Sequence, residues 1–309
     1  MISESQELTT LPGANGVSVL LKYVLITPAR NEAAFIEQTI QAVVNQTVLP
    51  MKWVIVSDGS TDGTDEIVNR YAALHNWIEL VRLPERKERH FAGKVGAIDA
   101  GRARVVGLDY DIVGSLDADI TVDEEYFEFL LGKFAGNPRL GVAGTPFREG
   151  ERQYDYRFTS VEHVSGACQL FRKECFQDIG GYRAIKTGGI DTIAVITARM
   201  KGWETRSFLE KACMHHRQMG SAMSKGYGSV FKTGMQDYTH GIDPVWQTFR
   251  CMYQMTRRPI LISGSYCLAG YLWAMATRME RPVSAEFMQF RKIEHRRRLR
   301  SFFRGLLPW

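Results

Sequence analysis

The strongest constraint on how this chain folds is a pattern that recurs along its first 120 residues. A short apolar run ends in a cluster of turn-forming and acidic residues, and a segment with helical spacing follows. Residues 23–27 (YVLIT) form the first run, continuous as expected for a strand buried on both faces. Pro28 and Asn31 interrupt it, and residues 32–46 place Ala34, Phe35, Ile40, Val43 and Val44 at helical intervals. Residues 53–56 repeat the strand signal and end in SDGSTDGT, with a helix expected from Asp62 and Thr64 or Asp65 near its start. A strand at 78–83, a helix at 94–106 and a strand at 111–116 follow, the last running into Asp117-Ala118-Asp119. This succession predicts an α/β fold with right-handed βαβ crossovers and a mostly parallel sheet. Ligands bind such sheets outside the carboxyl ends of the strands. PARNE, SDGSTD and DAD all fall there.

Several classes drop out at once. No GxGxxG follows the first strand, and Gly93-Lys94 lacks the spacing and the Ser/Thr of a Walker A loop. No repeat of solenoid period is present. Five cysteines without a CxxC pair read as reduced thiols, and the opening MISESQELTT is unlike a signal peptide, so a cytoplasmic protein is expected. The net charge is +5, yet residues 281–309 hold eight Lys or Arg against two Glu. The basic character therefore belongs to a tail, and the body offers no nucleic-acid motif.

The polar clusters allow specific chemistry, each with a plainer alternative. Asp117 and Asp119, at i and i+2 on a turning backbone, can both face a hard divalent cation, or they can cap a helix starting near Asp123. Asp58 can meet a base N–H or a ribose hydroxyl, or serve as a helix cap. Lys94 at a helix start suits a phosphate, or is a solvated lysine. Asp191 stands at the mouth of a helix as a cap or a general base. His215 and His216 follow an expected strand at 205–214, so only one of them can face a site and join a metal there.

In their order along the chain, PARNE, NQT, SDGSTDGT, AGKVGAIDAG, SLDADI, SGACQLFRKECFQDIGGY and IDTIAVITARMKGW resemble the family 2 glycosyltransferases. The likeness covers about residues 22–216. It implies the A-type glycosyltransferase fold, a single nucleotide-sugar-binding, Rossmann-like domain, here with a helical C-terminal extension. It also implies that Pro28, Arg30 and Glu32 lie around the nucleotide base and that Asp58 bonds to it. Lys94 would lie near the base and diphosphate, and Asp117 would contact the ribose or the metal. Asp119 would hold Mg²⁺ or Mn²⁺, and residues 166–181 would border the sugar and acceptor. Asp191 would take the acceptor proton, with inversion at the anomeric carbon. The chain departs from the family pattern at Ser57, at Asp99 and at Ile190, where an acidic residue often precedes the base. QxxRW, the mark of processive synthases, is replaced by HHRQMGS, so transfer of one sugar per encounter is expected.

The expected organisation is a lead-in at 1–21, a catalytic domain at 22–216 and a helical region at 217–309. Within the last, residues 260–277 carry no charge but are diluted by Ser, Gly, Thr and Tyr for a spanning helix. Residues 286–309 alternate Phe287, Phe290, Phe302 and Phe303 with Arg291, Lys292, Arg296, Arg297, Arg298 and Arg300, as in a basic amphipathic helix on an anionic membrane surface. The reading is an enzyme, peripheral or monotopic at the cytoplasmic face of a membrane. It would use a UDP-, GDP- or dTDP-sugar and a lipid-linked or glycan acceptor for cell-envelope glycan synthesis, with no nucleic-acid partner. A sugar nucleotidyltransferase and a non-catalytic nucleotide-sugar-binding or membrane-scaffold protein are the alternatives.

Overall fold

The computed structural model describes residues 21–85, 91–150, 152–153, 160–185, 188–217, 226–257 and 260–306. Most of the expected lead-in, residues 1–20, lies outside this set, as do 218–221 of HHRQMGS and 307–309 of the tail. The chain divides into two units. The first comprises residues up to Ala184 together with Ile190–Arg217, and the second comprises Ile185–Gly189 and the residues from Gln218 onward.

The first unit is built on a seven-stranded sheet. In chain order its opening elements are β1 (Tyr23–Ala29), α1 (Ile36–Val44), β2 (Lys52–Asp58), α2 (Thr64–Leu74), β3 (Ile78–Leu83), α3 (Phe91–Ala103) and β4 (Ile112–Leu116). There follow β5 (Ile120–Thr121), α4 (Tyr126–Gly136), β6 (Leu140–Gly144), β7 (Phe147–Glu149), β8 (Arg152–Gln153), β9 (Cys168–Arg172) and α5 (Lys173–Asp178). Then α6 (Ile190–Met200), β10 (Glu204–Ser207) and β11 (Cys213–His215) complete the unit. The strand order is β10-β6-β9-β4-β1-β2-β3, parallel except for β9, which runs antiparallel to both β4 and β6. The A-type glycosyltransferase fold expected from the sequence is the fold observed.

Burial explains the apolar runs. Val24, Leu25, Trp53, Val54, Ile55 and Val56 are fully buried, because β1 and β2 are central strands covered on both faces. Between β1 and β4 the order reverses, since β2 and β3 extend the sheet one way and β4 the other. A crevice for ligands opens at such a switch point, outside the carboxyl ends of the two strands. PARNE and DAD are the loops that flank it.

Two sequence expectations need correction here. The helix expected over 32–46 is shorter, Ile36–Val44, because the Glu32 carbonyl accepts the N–H groups of Phe35 and Ile36 in a separate turn that follows a left-handed Asn31 (φ 57°). The strand expected over 205–214 is two strands in different sheets. β10 pairs with β6 at the edge of the main sheet, and β11 joins a small sheet of order β5-β11-β7-β8.

The second unit is helical: α7 (Tyr227–Thr239), α8 (Pro244–Met255), α9 (Ile262–Ala276) and α10 (Ala285–Leu306). Helices α7 and α9 approach closely at Gly234 and Gly270. A Cβ at these positions would lie 1.9 Å from the Cys267 carbonyl oxygen and 2.0 Å from that of Phe231. Asp243 caps α8, accepting the N–H groups of Val245 and Trp246. Among the described residues no helix is long and apolar enough to cross a membrane.

The tail helix is more occupied within its own unit than its composition implies. Phe287 is buried, and Arg291 is buried while donating to the His240 carbonyl at 2.8 Å. His295 stacks on Trp246, and Phe302 and Phe303 pack edge-on to Phe249. Phe287 and Arg291 are therefore unavailable to a lipid surface. The exposed remainder includes Arg296, Arg300 and Arg304, spaced four residues apart and so on one side of α10.

Candidate active site

The loops after β1 and β2 are joined by side chains that the sequence marks as helix caps. Asp62 Oδ2 accepts the Ala33 N–H at 3.0 Å, and Thr64 Oγ1 accepts the Glu32 N–H at 2.8 Å. The Asn31 N–H likewise donates to Ser60 Oγ at 3.1 Å, and in the other direction Asn31 Oδ1 accepts the Thr61 N–H at 2.8 Å. Helix α2 itself follows a left-handed Gly63 (φ 90°) without a side-chain cap. Burial pushes the Asp62 carboxyl up, but bonds from Thr64 and the Ala33 N–H outweigh it and hold the group below its ordinary value. These links fix Arg30 and Asp58 side by side, with Arg30 Nη1 4.0 Å from Asp58 Oδ2 and Asp58 only 9% exposed.

The DAD turn is anchored on both sides. Thr39 of α1 donates to the Ala118 carbonyl at 2.8 Å, and the Asp117 N–H donates to Ala167 O at 2.9 Å. Ala118 is buried and its acidic neighbours flank it. Neither carboxylate caps a helix, since α4 begins only at Tyr126. Asp117 Oδ1 receives Lys94 Nζ at 2.5 Å. Lys94 sits in the first turn of α3, which starts three residues earlier than expected. Burial pulls the Lys94 ammonium down, yet Asp117, Asp191 and Asp119 together keep it above its ordinary value. Asp117 is displaced the other way from a salt-bridged acid. Burial pushes its carboxyl up, Asp119 and Asp191 add to that, and Lys94 offsets only part.

Asp191 lies in the first turn of α6, half-buried, and reaches this cluster through a gap left by Gly166. A Cβ on Gly166 would stand 2.7 Å from Asp191 Oδ2 and 2.9 Å from its Cβ and Cγ. Three carboxylates, Asp117, Asp119 and Asp191, therefore act on one ammonium. The histidines separate as alternation demands. His215 Nε2 faces Asp119 Oδ2 at 3.6 Å, whereas the His216 ring turns to Thr121 Oγ1 at 2.8 Å and only its backbone N–H meets the Asp119 carbonyl. Of the two, His215 alone faces Asp119.

Among the described residues no group of three or more His, Cys, Asp and Glu side chains surrounds one point. The site instead offers two donors, Asp119 Oδ2 and His215 Nε2. Their 3.6 Å separation is close to the roughly 3 Å between adjacent ligands of an octahedral ion bound at ~2.1 Å. One oxygen and one imidazole nitrogen suit Mn²⁺, and cations that act on phosphates keep few protein ligands. His215 Nδ1 is buried with no hydrogen-bond partner among the described residues, and the ring lies against Phe147. This donor set would fit a divalent ion that takes its other ligands from substrate and water.

Arg217 is the site residue the sequence reading missed. It donates to Glu32 through Nη2, lies 3.3 Å from Asp119 Oδ2 through Nε, and stacks over Phe35 with 5.4 Å from guanidinium carbon to ring centroid. Its only signal was an arginine directly after the two histidines. Pro28 is in β1, paired with Val56 of β2, and so stands at the strand end rather than in the loop.

The β10-β6-β9-β4-β1-β2-β3 sheet, with an acidic turn after β4 that pairs with Lys94, is that of a glycosyltransferase of the A-type fold. The chain belongs to glycosyl transferase family 2, whose family model matches residues 24–180. It is 25% identical over 170 residues to the poly-β-1,6-N-acetyl-D-glucosamine synthase of Staphylococcus epidermidis and 26% to that of Staphylococcus aureus (strain COL). Each match covers 48% of this chain and 39% of the relative, so the chain spans about two fifths of the relatives' length in the matched region. Solved structures share the fold. The mannosyltransferase PcManGT from Pyrobaculum calidifontis in complex with GDP-Man and Mn²⁺ aligns with TM-score 0.56 and 17% identity, over 92% of this chain and 82% of that one. S. aureus TarS 1–349 in complex with UDP-GlcNAc aligns with TM-score 0.53 and 15% identity, over 88% and 78%.

Proposed function

We propose that this chain is a metal-dependent, inverting glycosyltransferase that moves one sugar per encounter from a nucleotide-diphospho-sugar to a hydroxyl of a glycan acceptor. The observation that carries the reading is the convergence of Asp117, Asp119 and Asp191 on Lys94 at the carboxyl end of β4, with His215 facing Asp119. Asp119 and His215 would hold Mn²⁺ or Mg²⁺, and such an ion neutralises charge on a departing diphosphate. Lys94 places a second positive charge beside Asp117, near the same leaving group. Asp58 at the end of β2 and Arg30 just after β1 would meet the nucleoside. Asp191 would accept the proton of the acceptor hydroxyl as that oxygen attacks the anomeric carbon opposite the diphosphate, which inverts the centre. Gly166 leaves the space this carboxylate needs.

The donor class draws support from the relatives. The mannosyltransferase structure holds GDP-Man and the TarS structure holds UDP-GlcNAc, both nucleoside diphosphate sugars. The acceptor would be a lipid-linked or surface glycan, in keeping with the synthases among the relatives. Action at the cytoplasmic face of an anionic membrane is supported by Arg296, Arg300 and Arg304 on one side of α10. Helix α9 adds an uncharged exposed face that carries Ile262, Tyr266, Leu272 and Trp273.

Melting the protein against UDP-, GDP- and dTDP-sugars with and without Mn²⁺ identifies the donor, since a ligand at 100 times its Kd adds about 2.7 kcal/mol of stability. Turnover of that donor by wild type, and none by Asp191→Asn at unchanged donor affinity, is the expected result. Equal turnover by the variant, or wild-type turnover that survives a chelator, rules the proposal out.

A further inference from the structure

The Arg217 guanidinium is shared between two carboxylates that belong to different loops of the crevice. Glu32 follows β1 and Asp119 follows β4, and their side chains are 11% and 10% exposed. Arg217 lies two residues beyond β11, so the small sheet that carries His215 also carries this cation to Asp119. His215 and Arg217 meet the same oxygen, Asp119 Oδ2, at 3.6 and 3.3 Å. Among the described residues the Arg217 Nε has hydrogen-bond geometry to no acceptor, although it is buried. It neutralises Asp119 by charge alone and loses no directed bond on moving away.

A divalent ion on Asp119 and a guanidinium against the same oxygen would repel each other. We propose that Arg217 is the resident counter-cation of Asp119 in the donor-free protein, and that it leaves that oxygen when metal and nucleotide diphosphate arrive together. This rests on the metal-dependent reading above. Glu32 and the Phe35 ring keep hold of the guanidinium, so it swings rather than departs. Its planar fork suits a phosphate, which the incoming diphosphate supplies. Metal alone must displace the arginine without offering it a new partner, whereas metal with nucleotide offers one. Arg217 thereby makes the two ligands bind cooperatively, each raising the other's affinity by the same factor.

The test follows Mn²⁺ binding to the full chain by electron paramagnetic resonance of the free ion, first with Mn²⁺ alone, then with Mn²⁺ plus UDP or GDP. Arg217→Gln should bind Mn²⁺ alone more tightly than wild type, on the order of tenfold, a coupling of ordinary size. The gain in Mn²⁺ affinity brought by nucleotide should shrink in the same variant. Arg217→Lys, with a point charge that cannot span both carboxylates, should also bind Mn²⁺ alone more tightly, by less, and it carries the test if the glutamine variant does not fold. Mn²⁺ binding to the folded variants that equals or falls below wild type overturns this proposal alone. Absence of Mn²⁺ binding to wild type, with and without either nucleotide, overturns both this proposal and the metal-dependent reading.

Discussion

The Lys94 ammonium lies 2.5 Å from Asp117 Oδ1, and this contact ties the first turn of α3 to the loop after β4 beside the point where the strand order reverses. Each side chain is about a quarter exposed. Burial costs both charged forms, and the pair survives because each offsets part of the other's desolvation. The arrangement holds more negative than positive charge, since Asp119 and Asp191 also act on it. A site poised this way favours an arriving cation.

Removing the ammonium should therefore raise the Asp117 carboxyl further. In Lys94→Met, burial, Asp119 and Asp191 still push the carboxyl up, and the Lys94 charge and hydrogen bond that offset them are gone. A folded carboxyl raised above its unfolded value binds its proton more tightly when folded, so acidification through that raised value favours the fold. The variant should lose about 2 kcal/mol of stability near neutral pH, less than a fully buried pair would cost because both side chains are partly exposed and screened by solvent. The deficit should narrow as the pH falls through the Asp117 titration, because a protonated Asp117 no longer needs a cation. Carboxyl ¹³C titration together with denaturant melts at several pH values checks this. An Asp117 titration that stays in place or moves down contradicts it.

Gly166→Ala tests the gap for Asp191. The new Cβ would lie 2.7 Å from Asp191 Oδ2 and must displace the carboxylate. If Asp191 takes the acceptor proton, kcat should fall by about 10²-fold, the scale of a displaced or lost general base, while donor affinity stays near wild type. Steady-state kinetics with donor binding measured separately would show this. An unchanged kcat would mean that Asp191 sits where it does for structural reasons.

Asp62→Ala should loosen the link between the loops after β1 and β2. The lost bonds to Ala33 and Thr64 are each worth about 1 kcal/mol at most, because the side chain is exposed. The wild-type contribution comes from a carboxyl held below its ordinary value. It is present above the unfolded value near 3.8 and is lost as the pH falls through the lower folded value. Wild type and variant should thus differ in melting temperature at pH 7 and converge in strong acid. A constant difference across that range would assign the effect to packing.

The membrane reading is tested by charge, since truncating α10 would uncover the partners of Phe287, Arg291, His295 and Leu299. Arg296→Gln, Arg300→Gln and Arg304→Gln combined should weaken binding to phosphatidylserine vesicles by about 3 kcal/mol, at roughly 1 kcal/mol per surface cation. Raised salt should weaken the wild type in the same direction. Flotation insensitive to both changes would direct attention to the uncharged exposed face of α9 instead.

Much of the first unit is legible in the sequence because its central strands are buried on both faces. Such strands must be continuous apolar runs, and the loops at their carboxyl ends must be polar, so the residues after β1, β2 and β4 stand out before any folding is considered. Asp58, Lys94, Asp117, Asp119 and Asp191 were all visible on that ground or through resemblance to the family. The site they form was not, because three carboxylates acting on one lysine is a relation between segments as much as 97 residues apart, from Lys94 in α3 to Asp191 in α6.

Tertiary structure alone decided the rest. Asp62 and Thr64 have the local signature of helix caps, yet their side chains bond across to the preceding loop, because β1 and β2 pair in parallel and bring those loops together. His215 rather than His216 faces Asp119 because β11 pairs with β5, a register that composition does not encode. Phe287 and Arg291 read as a membrane face until α10 folds and buries them. Period and polarity determine which elements form and which loops carry chemistry. Which side chains meet depends on strand register and packing, where one residue of displacement would turn every side chain to the other face.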